Sequence, residues 1–140
     1  MTIPVTGFSH VRLTVTDIAR SRAFYDALFG WQVLAELPAD ADEETREQLA
    51  FLYGGVVYTF AGGLFGLRPV AAGSDRFSPD RVGLDHLCFS VGSRADLDAA
   101  VSALDALGVP HDGVKDIGIA TILEFRDPDG VALELAAPNT

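Results

Sequence analysis

Hydrophobic and polar residues alternate in two segments of the chain that begin in the same way. The first starts at Gly7 as GFSHVRLTV, and the second starts at Gly83 as GLDHLCFSV. Apolar residues at every second position predict a strand with one buried face in each segment. An apolar pattern of helical period follows each strand, and each helix is predicted to end at a glycine, Gly30 or Gly108. The chain therefore contains an internal repeat.

Both repeats return to strands after their helices. The predicted strands are Trp31–Ala35, Val56–Phe60 and Leu64–Arg68 in the first repeat, and Ala120–Phe125, Val131–Ala136 and a less regular segment near His111–Lys115 in the second. This order predicts an α+β fold in which two repeated βαββ(β) modules form a curved mixed sheet around a central cleft. We expect one domain over residues 1–140, with module one at about 5–70, a linker at about 71–81 and module two at about 82–138.

One long stretch without charge needs a separate interpretation. The segment Leu49–Leu67 is long enough to cross a membrane, but it contains five glycines. Its Gly-Gly pairs divide it into short β-rich runs, so a buried hairpin is predicted and not a membrane span. The acidic segment before it, Pro38–Gln48, is predicted to be a solvated loop or a short helix.

Composition and charge exclude several classes of function. The net charge is -10 and no basic patch is present, which argues against a nucleic-acid partner. The single cysteine, Cys88, excludes an intrachain disulfide. The first ten residues lack the pattern of a signal peptide, so we expect a cytoplasmic protein without a membrane partner.

Strand alternation also predicts a site. If the alternating apolar residues pack on the helices, then His10, His86 and Glu134 face the opposite side of their sheets. Glu134 stands between two leucines, where a carboxylate is costly to bury unless a cation compensates it. Two imidazoles and a carboxylate are a metal site of the 2-His-1-carboxylate kind, suited to one divalent ion such as Fe(II), Mn, Co, Ni or Zn. The alternative is that each histidine is an ordinary hydrogen-bonded residue and that Glu134 lies at an exposed edge.

The repeat resembles the vicinal oxygen chelate superfamily, which includes glyoxalase I, bleomycin-resistance proteins, fosfomycin-resistance enzymes and extradiol dioxygenases. The resemblance rests on HVRLTVTDIARSRAFYDALFGW, GLDHLCFSV and FRDPDGVALEL. It implies metal ligands on the first and last strands of the modules, which are the positions of His10, His86 and Glu134. The fourth position falls on Gly66, which has no side chain. The chain thus departs from the four-ligand pattern of glyoxalase I, and we expect no appreciable turnover of the glutathione hemithioacetal.

Other residues are candidates for the same cleft. Arg12 shares the face of His10 and is predicted to bind a substrate carboxylate or phosphate, or to pair with a nearby acid. Glu124 is a candidate general acid or base, unless it points to solvent. Tyr58, Phe60 and Cys88 are expected to line the cleft, with Cys88 a small buried residue and not a nucleophile. His111 is expected in a solvated loop.

These features predict a metal-dependent lyase or dioxygenase of the vicinal oxygen chelate type, acting on a small or aromatic substrate chelated through neighbouring oxygens. The alternative is a non-catalytic small-molecule-binding protein of the antibiotic-sequestering type, and a scaffold with an unused cleft is a third interpretation. The resemblance also implies a homodimer. The uncharged hairpin Leu49–Leu67 is expected to present apolar surface that a partner covers.

Overall fold

A computed structural model describes residues 1–139, and it divides into two compact units. The first unit is Met1–Ser74, and the second begins at Asp75. The elements of the first unit are β1 His10–Thr14, α1 Ile18–Phe29, β2 Gln32–Glu36, α2 Glu43–Gln48, β3 Val56–Phe60 and β4 Gly63–Arg68. Those of the second are β5 Leu87–Ser90, α3 Arg94–Ala106, β6 His111–Asp116, β7 Ala120–Arg126 and β8 Ala132–Pro138.

Each unit is a four-stranded mixed sheet with the same connectivity. The strand orders are β1-β4-β3-β2 and β5-β8-β7-β6. The first strand of each unit pairs in parallel with the last, and the other pairs are antiparallel. The predicted α+β class and its repeated β-α-β-β-β module are therefore confirmed.

The helix of the first unit begins and ends where the sequence predicts. The Asp17 side chain accepts a hydrogen bond of 3.0 Å from the backbone N–H of Arg20, which caps the first turn. Gly30 ends the helix in the left-handed region, at φ 58°. Between them Tyr25 is fully buried, with its ring centroid 5.0 Å from that of Phe65 on β4. This aromatic contact packs α1 against one face of the sheet, opposite to the face on which the exposed His10 lies.

The second unit repeats this arrangement with aliphatic residues. Ser93 caps α3 by accepting a hydrogen bond from the N–H of Asp96, as the capping-box spacing predicts. Leu97 and Leu104 are buried on the side of α3 that packs over β6, β7 and β8. Leu133 and Leu135 of β8 are buried as well, so the residue between them points to the opposite face of the sheet.

The uncharged segment is a hairpin, as predicted, but its own unit covers most of its apolar side chains. Its buried residues are Leu52, Val56, Tyr58, Phe65 and Leu67. Only Phe51 and Tyr53 remain largely exposed among its large side chains. The expectation that this hairpin presents a broad apolar surface is therefore wrong, because most of its large side chains are buried within the first unit, where α1 packs on β4. No helix within residues 1–139 is long and apolar enough to cross a membrane.

The turn between β7 and β8 is held by one side chain. Asp127 Oδ1 accepts hydrogen bonds of 2.9 Å from the backbone N–H groups of both Asp129 and Val131. Asp127 is buried, so these donors would otherwise lie unpaired away from water. Gly130 completes the turn at φ 82°, a region that favours glycine. The turn sets the register of β8 and thereby the position of Glu134.

We expect Asp127→Ala to lower the free energy of unfolding by about 2 kcal/mol, because two buried N–H groups lose their acceptor. Urea unfolding followed by circular dichroism measures this. Asp112→Ala is the matched control, since the Asp112 side chain is 86% exposed, and it should change stability by less than about 0.5 kcal/mol. Equal stability of the two variants would contradict the assigned role of the turn.

Candidate functional site

The open face of the first unit carries His10 and Arg12. Both lie on β1 and point away from α1, as alternation with the buried Leu13 requires. They line a cavity of about 270 Å³ together with mostly apolar residues. The remaining lining residues are Val11, Leu34, Ala35, Phe51, Val57, Leu64 and Gly66. The first unit thus offers one imidazole and one guanidinium in an apolar surrounding.

The second unit places His86 and Glu134 in one cavity of about 510 Å³. His86 Nδ1 lies 2.5 Å from Asp85 Oδ1. This hydrogen bond raises the pKa of His86, and the nearby carboxylates of Glu134 and Glu124 raise it further, although partial desolvation opposes them. The two predicted ligands of this unit are therefore close enough to interact electrostatically.

His10 and His86 each make the same kind of local contact within their own unit. In the first unit Ser9 Oγ lies 3.0 Å from His10 Nδ1, and in the second Asp85 makes the corresponding contact to His86. In both cases the polar residue directly before the histidine engages Nδ1. This leaves Nε2 of each ring for a ligand. The polar residue in GFSH and GLDH carries the signal for this orienting contact, which the sequence-based predictions missed.

Two carboxylates stand side by side on the second sheet. Glu124 on β7 pairs directly with Glu134 on β8 in the antiparallel register. Like charges opposite each other on neighbouring strands are destabilising. Lys115, the only lysine of the chain, compensates Glu124 with an Nζ–Oε2 distance of 3.2 Å. No lysine, arginine or histidine within residues 75–139 forms an ion pair with Glu134.

Cys88 lies beside Glu134 in the parallel pairing of β5 with β8. It is exposed in this unit, so the expectation of a small buried residue is wrong. Partial desolvation and a hydrogen bond to the Glu134 carboxylate raise the pKa of its thiol to about 12. A raised pKa disfavours the thiolate, which is the nucleophilic form of cysteine.

The position equivalent to Glu134 in the first unit is Gly66. Arg12 pairs with Gly66 in parallel register, as Cys88 pairs with Glu134. This agrees with the superposition of the two repeats. The first unit therefore supplies no carboxylate at this position, and the Arg12 side chain lies over the glycine instead.

Two candidate cleft residues lie on the wrong face. Tyr58 is 1% exposed and donates a hydrogen bond of 2.7 Å to Asp26 on α1. Phe60 lies on the same side and stacks on Trp31 with centroids 4.9 Å apart. The prediction that these rings line the cleft is wrong, because residues of even number on β3 face the helix and Val57 faces the cavity. The pKa of Tyr58 is raised by burial and by the Asp26 bond.

His111 also differs from expectation. It begins strand β6 and its side chain is only 11% exposed. Its Nδ1 accepts a hydrogen bond from the N–H of Gly113, and its Nε2 lies 2.8 Å from Asp105 Oδ1. The ring thus links β6 to the end of α3 and is not a solvated loop residue.

Within either unit, over the residues described, no group of three His, Cys, Asp or Glu side chains is suited to hold a metal ion. His10 belongs to the first unit, while His86 and Glu134 belong to the second. The assignment of these three residues as ligands of one ion stays a prediction.

Comparison with known proteins identifies the family. The Glyoxalase/Bleomycin resistance protein/Dioxygenase superfamily matches residues 7–135, and the chain belongs to it. The uncharacterized protein YaeR of Escherichia coli is 31% identical over 90% of this chain and 92% of its own length. A glyoxylase/bleomycin resistance protein/dioxygenase domain from Frankia is 30% identical, with a TM-score of 0.76 over 96% of this chain and 93% of its own.

A third relative is similar in fold. It is a mutant of the fosfomycin resistance protein FosX from Listeria monocytogenes, complexed with Mn(II) and 1S,2S-dihydroxypropylphosphonic acid, and it is 20% identical. It has a TM-score of 0.72 and covers 96% of this chain and 94% of its own.

The assignment of Tyr58 to the core can be tested through the free energy of unfolding. Tyr58→Phe should lower the free energy of unfolding by about 1 kcal/mol, because the buried hydroxyl loses its bond to Asp26. Tyr53→Phe is the matched control, since Tyr53 is 57% exposed and Phe also stacks under the Arg68 guanidinium. Chemical unfolding measures both variants. If Tyr58→Phe is as stable as the control, the hydroxyl is solvated and the tyrosine belongs to the cleft after all.

Proposed function

We propose that the protein is a metal-dependent enzyme of its superfamily that binds one divalent ion through His10, His86 and Glu134. Its substrate is a small or aromatic molecule that presents two neighbouring oxygens, and the reaction is of the lyase or dioxygenase type. The candidate ions are Fe(II), Mn, Co, Ni and Zn, all of which bind to imidazole and carboxylate ligands.

The observation that carries this proposal is the uncompensated charge of Glu134. Its carboxylate is half-buried, lies opposite a second carboxylate and forms no ion pair with a cation among residues 75–139. The chain uses its only lysine on Glu124. A partly desolvated carboxylate beside a like charge is costly unless a cation is supplied. A divalent ion at Glu134 meets that need.

The orientation of both imidazoles supports the same ion. Metal-binding histidines commonly use their second nitrogen for a hydrogen bond that orients the ring. Ser9 and Asp85 provide such bonds at Nδ1 of His10 and His86, which leaves Nε2 of each ring as the nitrogen for a metal ion. The donor set therefore fits a divalent ion, and the Mn(II) in the FosX complex is consistent with it.

The ion would supply Lewis-acid chemistry to a substrate that binds through two neighbouring oxygens. Glu124 lines the same cavity as His86 and Glu134, with its carboxylate 53% exposed and held by Lys115. These observations support a role for Glu124 as a general base that accepts a proton from the substrate. With Gly66 in the fourth position, turnover of the glutathione hemithioacetal should remain negligible.

A second candidate function is binding without chemistry, as in sequestering proteins. The first-unit cavity favours it, because its walls are almost entirely apolar apart from His10 and Arg12. Metal content separates the two functions, since a sequestering cleft has no need of three retained metal ligands.

Metal analysis of anaerobically purified protein should find one divalent ion per chain. Glu134→Ala should remain folded and lose more than about tenfold in metal affinity, since even residues that only orient ligands are worth tenfold or more. Glu124→Ala is the matched control, because it removes a carboxylate from the same face and should change the affinity only a few-fold. If Glu134→Ala binds the ion as tightly as that control, the assignment of Glu134 is wrong.

The homodimer is a separate prediction. Large apolar side chains remain exposed outside the hairpin; they include Phe8, Leu34, Val82 and Ile119. Association would remove part of this surface from water at roughly 25 cal/mol per Å². Repulsion from the net charge of -10 is screened over about 8 Å at physiological salt. Light scattering at micromolar concentration should give twice 14.9 kDa with weak salt dependence, whereas the mass of one chain would refute the dimer.

A further inference from the structure

The aliphatic stem of Arg12 packs closely against the place where a side chain at position 66 would begin. A Cβ atom built on Gly66 would lie 3.0 Å from Arg12 Cγ and 3.6 Å from its Cβ and Cδ. The equivalent position in the second repeat carries the carboxylate of Glu134. The first repeat thus has a cationic side chain beside the position at which the second repeat has a carboxylate.

The guanidinium of Arg12 is held but not neutralised. Its Nη2 donates a hydrogen bond of 2.6 Å to the backbone carbonyl of Phe51, which anchors the group at the cavity. Its Nε is buried without a hydrogen-bond acceptor. No carboxylate within residues 1–74 forms an ion pair with it. A half-buried guanidinium with unused donors lacks an anionic partner, and a carboxylate fits its planar fork.

The cavity around Arg12 limits the shape of that partner. Its volume is about 270 Å³, and every lining residue except His10 and Arg12 is apolar. A pocket of this kind binds the body of a ligand by apolar contact and orients it through a few polar groups. The part of a ligand that suits this cavity is small and apolar and carries one anionic head.

We propose that Arg12 is a specificity-determining residue that binds the carboxylate of a small carboxylic acid, an apolar part of which lies in the first-unit cavity. This role of Arg12 deepens the proposed function. It rests on that function because the acid is taken to be the substrate of the enzyme. Position 66 has no side chain that could be a fourth metal ligand, and the Arg12 guanidinium at the same cavity recognises the substrate instead. The stem of the same side chain packs over Gly66, so the glycine and the arginine act together.

The experiment uses metal-free protein in the presence of a chelator, so it does not depend on the proposed metal site. Benzoate is the probe, and benzamide is its neutral counterpart of nearly the same shape. Binding is followed by titration with amide NMR spectra, which also report which unit responds. We expect benzoate to bind at millimolar concentration with shifts on β1 and β4, and benzamide to bind at least about tenfold more weakly, because hydrogen bonds between charged groups are the stronger.

Arg12→Met keeps the stem over Gly66 and removes the charge, so it should weaken benzoate binding at least about tenfold and leave benzamide unchanged. Arg12→Lys keeps the charge without the fork and should give an intermediate affinity. Arg68→Met is the matched control, because Arg68 lies at the end of β4 over the Tyr53 ring and outside the cavity. Phenylphosphonate in place of benzoate tests whether the cavity binds a phosphonate or a carboxylate more tightly.

Several results would overturn the proposal. These are no benzoate binding, equal loss in the Arg68→Met control, shifts confined to the second unit, and tighter binding of phenylphosphonate than of benzoate. Loss of metal binding in Glu134→Ala with intact benzoate binding supports both the proposed function and this inference. Intact metal binding in Arg12→Met with unchanged benzoate affinity refutes the inference alone.

Discussion

Parallel pairing between the first and last strands of each unit determines which side chains share the open face of its sheet. In the second unit it sets Cys88 beside Glu134, and in the first it sets Arg12 beside Gly66. The pairing follows from the β-α-β-β-β connectivity, since the helix covers one face and the hairpin returns the last strand alongside the first. Arg12, Cys88 and Glu134 derive their positions from this parallel register, whereas Glu124 is placed beside Glu134 by the antiparallel pairing of β7 with β8.

The charges on this face explain the chemistry that we propose. The second unit concentrates carboxylates at Glu124 and Glu134, and one lysine neutralises only the first of them. The first unit carries the opposite imbalance, because Arg12 has no carboxylate partner within it. A cation at one position and an anionic ligand at the other would satisfy both units. The two repeats thus share one fold but carry unpaired charges of opposite sign.

Some features of the site required a register that alternation alone does not provide. Tyr58 and Val57 are neighbours on β3, and a shift of one residue exchanges the face that each occupies. The hairpin between β3 and β4 is short and glycine-rich, so its local pattern did not determine that register, and the wrong residue was assigned to the cleft. His111 was missed for a different reason. Its partners, Asp105 and Gly113, lie on a helix end and a bulged strand that become neighbours only in the folded unit.

The sequence by itself determined the repeat, the helix limits at Gly30 and Gly108, the buried hairpin and the face of His10, His86 and Glu134. These are local properties, because periodicity, capping residues and glycine conformations act over a few neighbouring positions. Only the tertiary structure decided that Tyr58 is a core residue, that Lys115 neutralises Glu124 and that Arg12 covers Gly66. Those outcomes depend on strands that are distant in the chain but lie side by side in the fold. The fold also decides that Lys115 pairs with Glu124 and not with the adjacent Glu134.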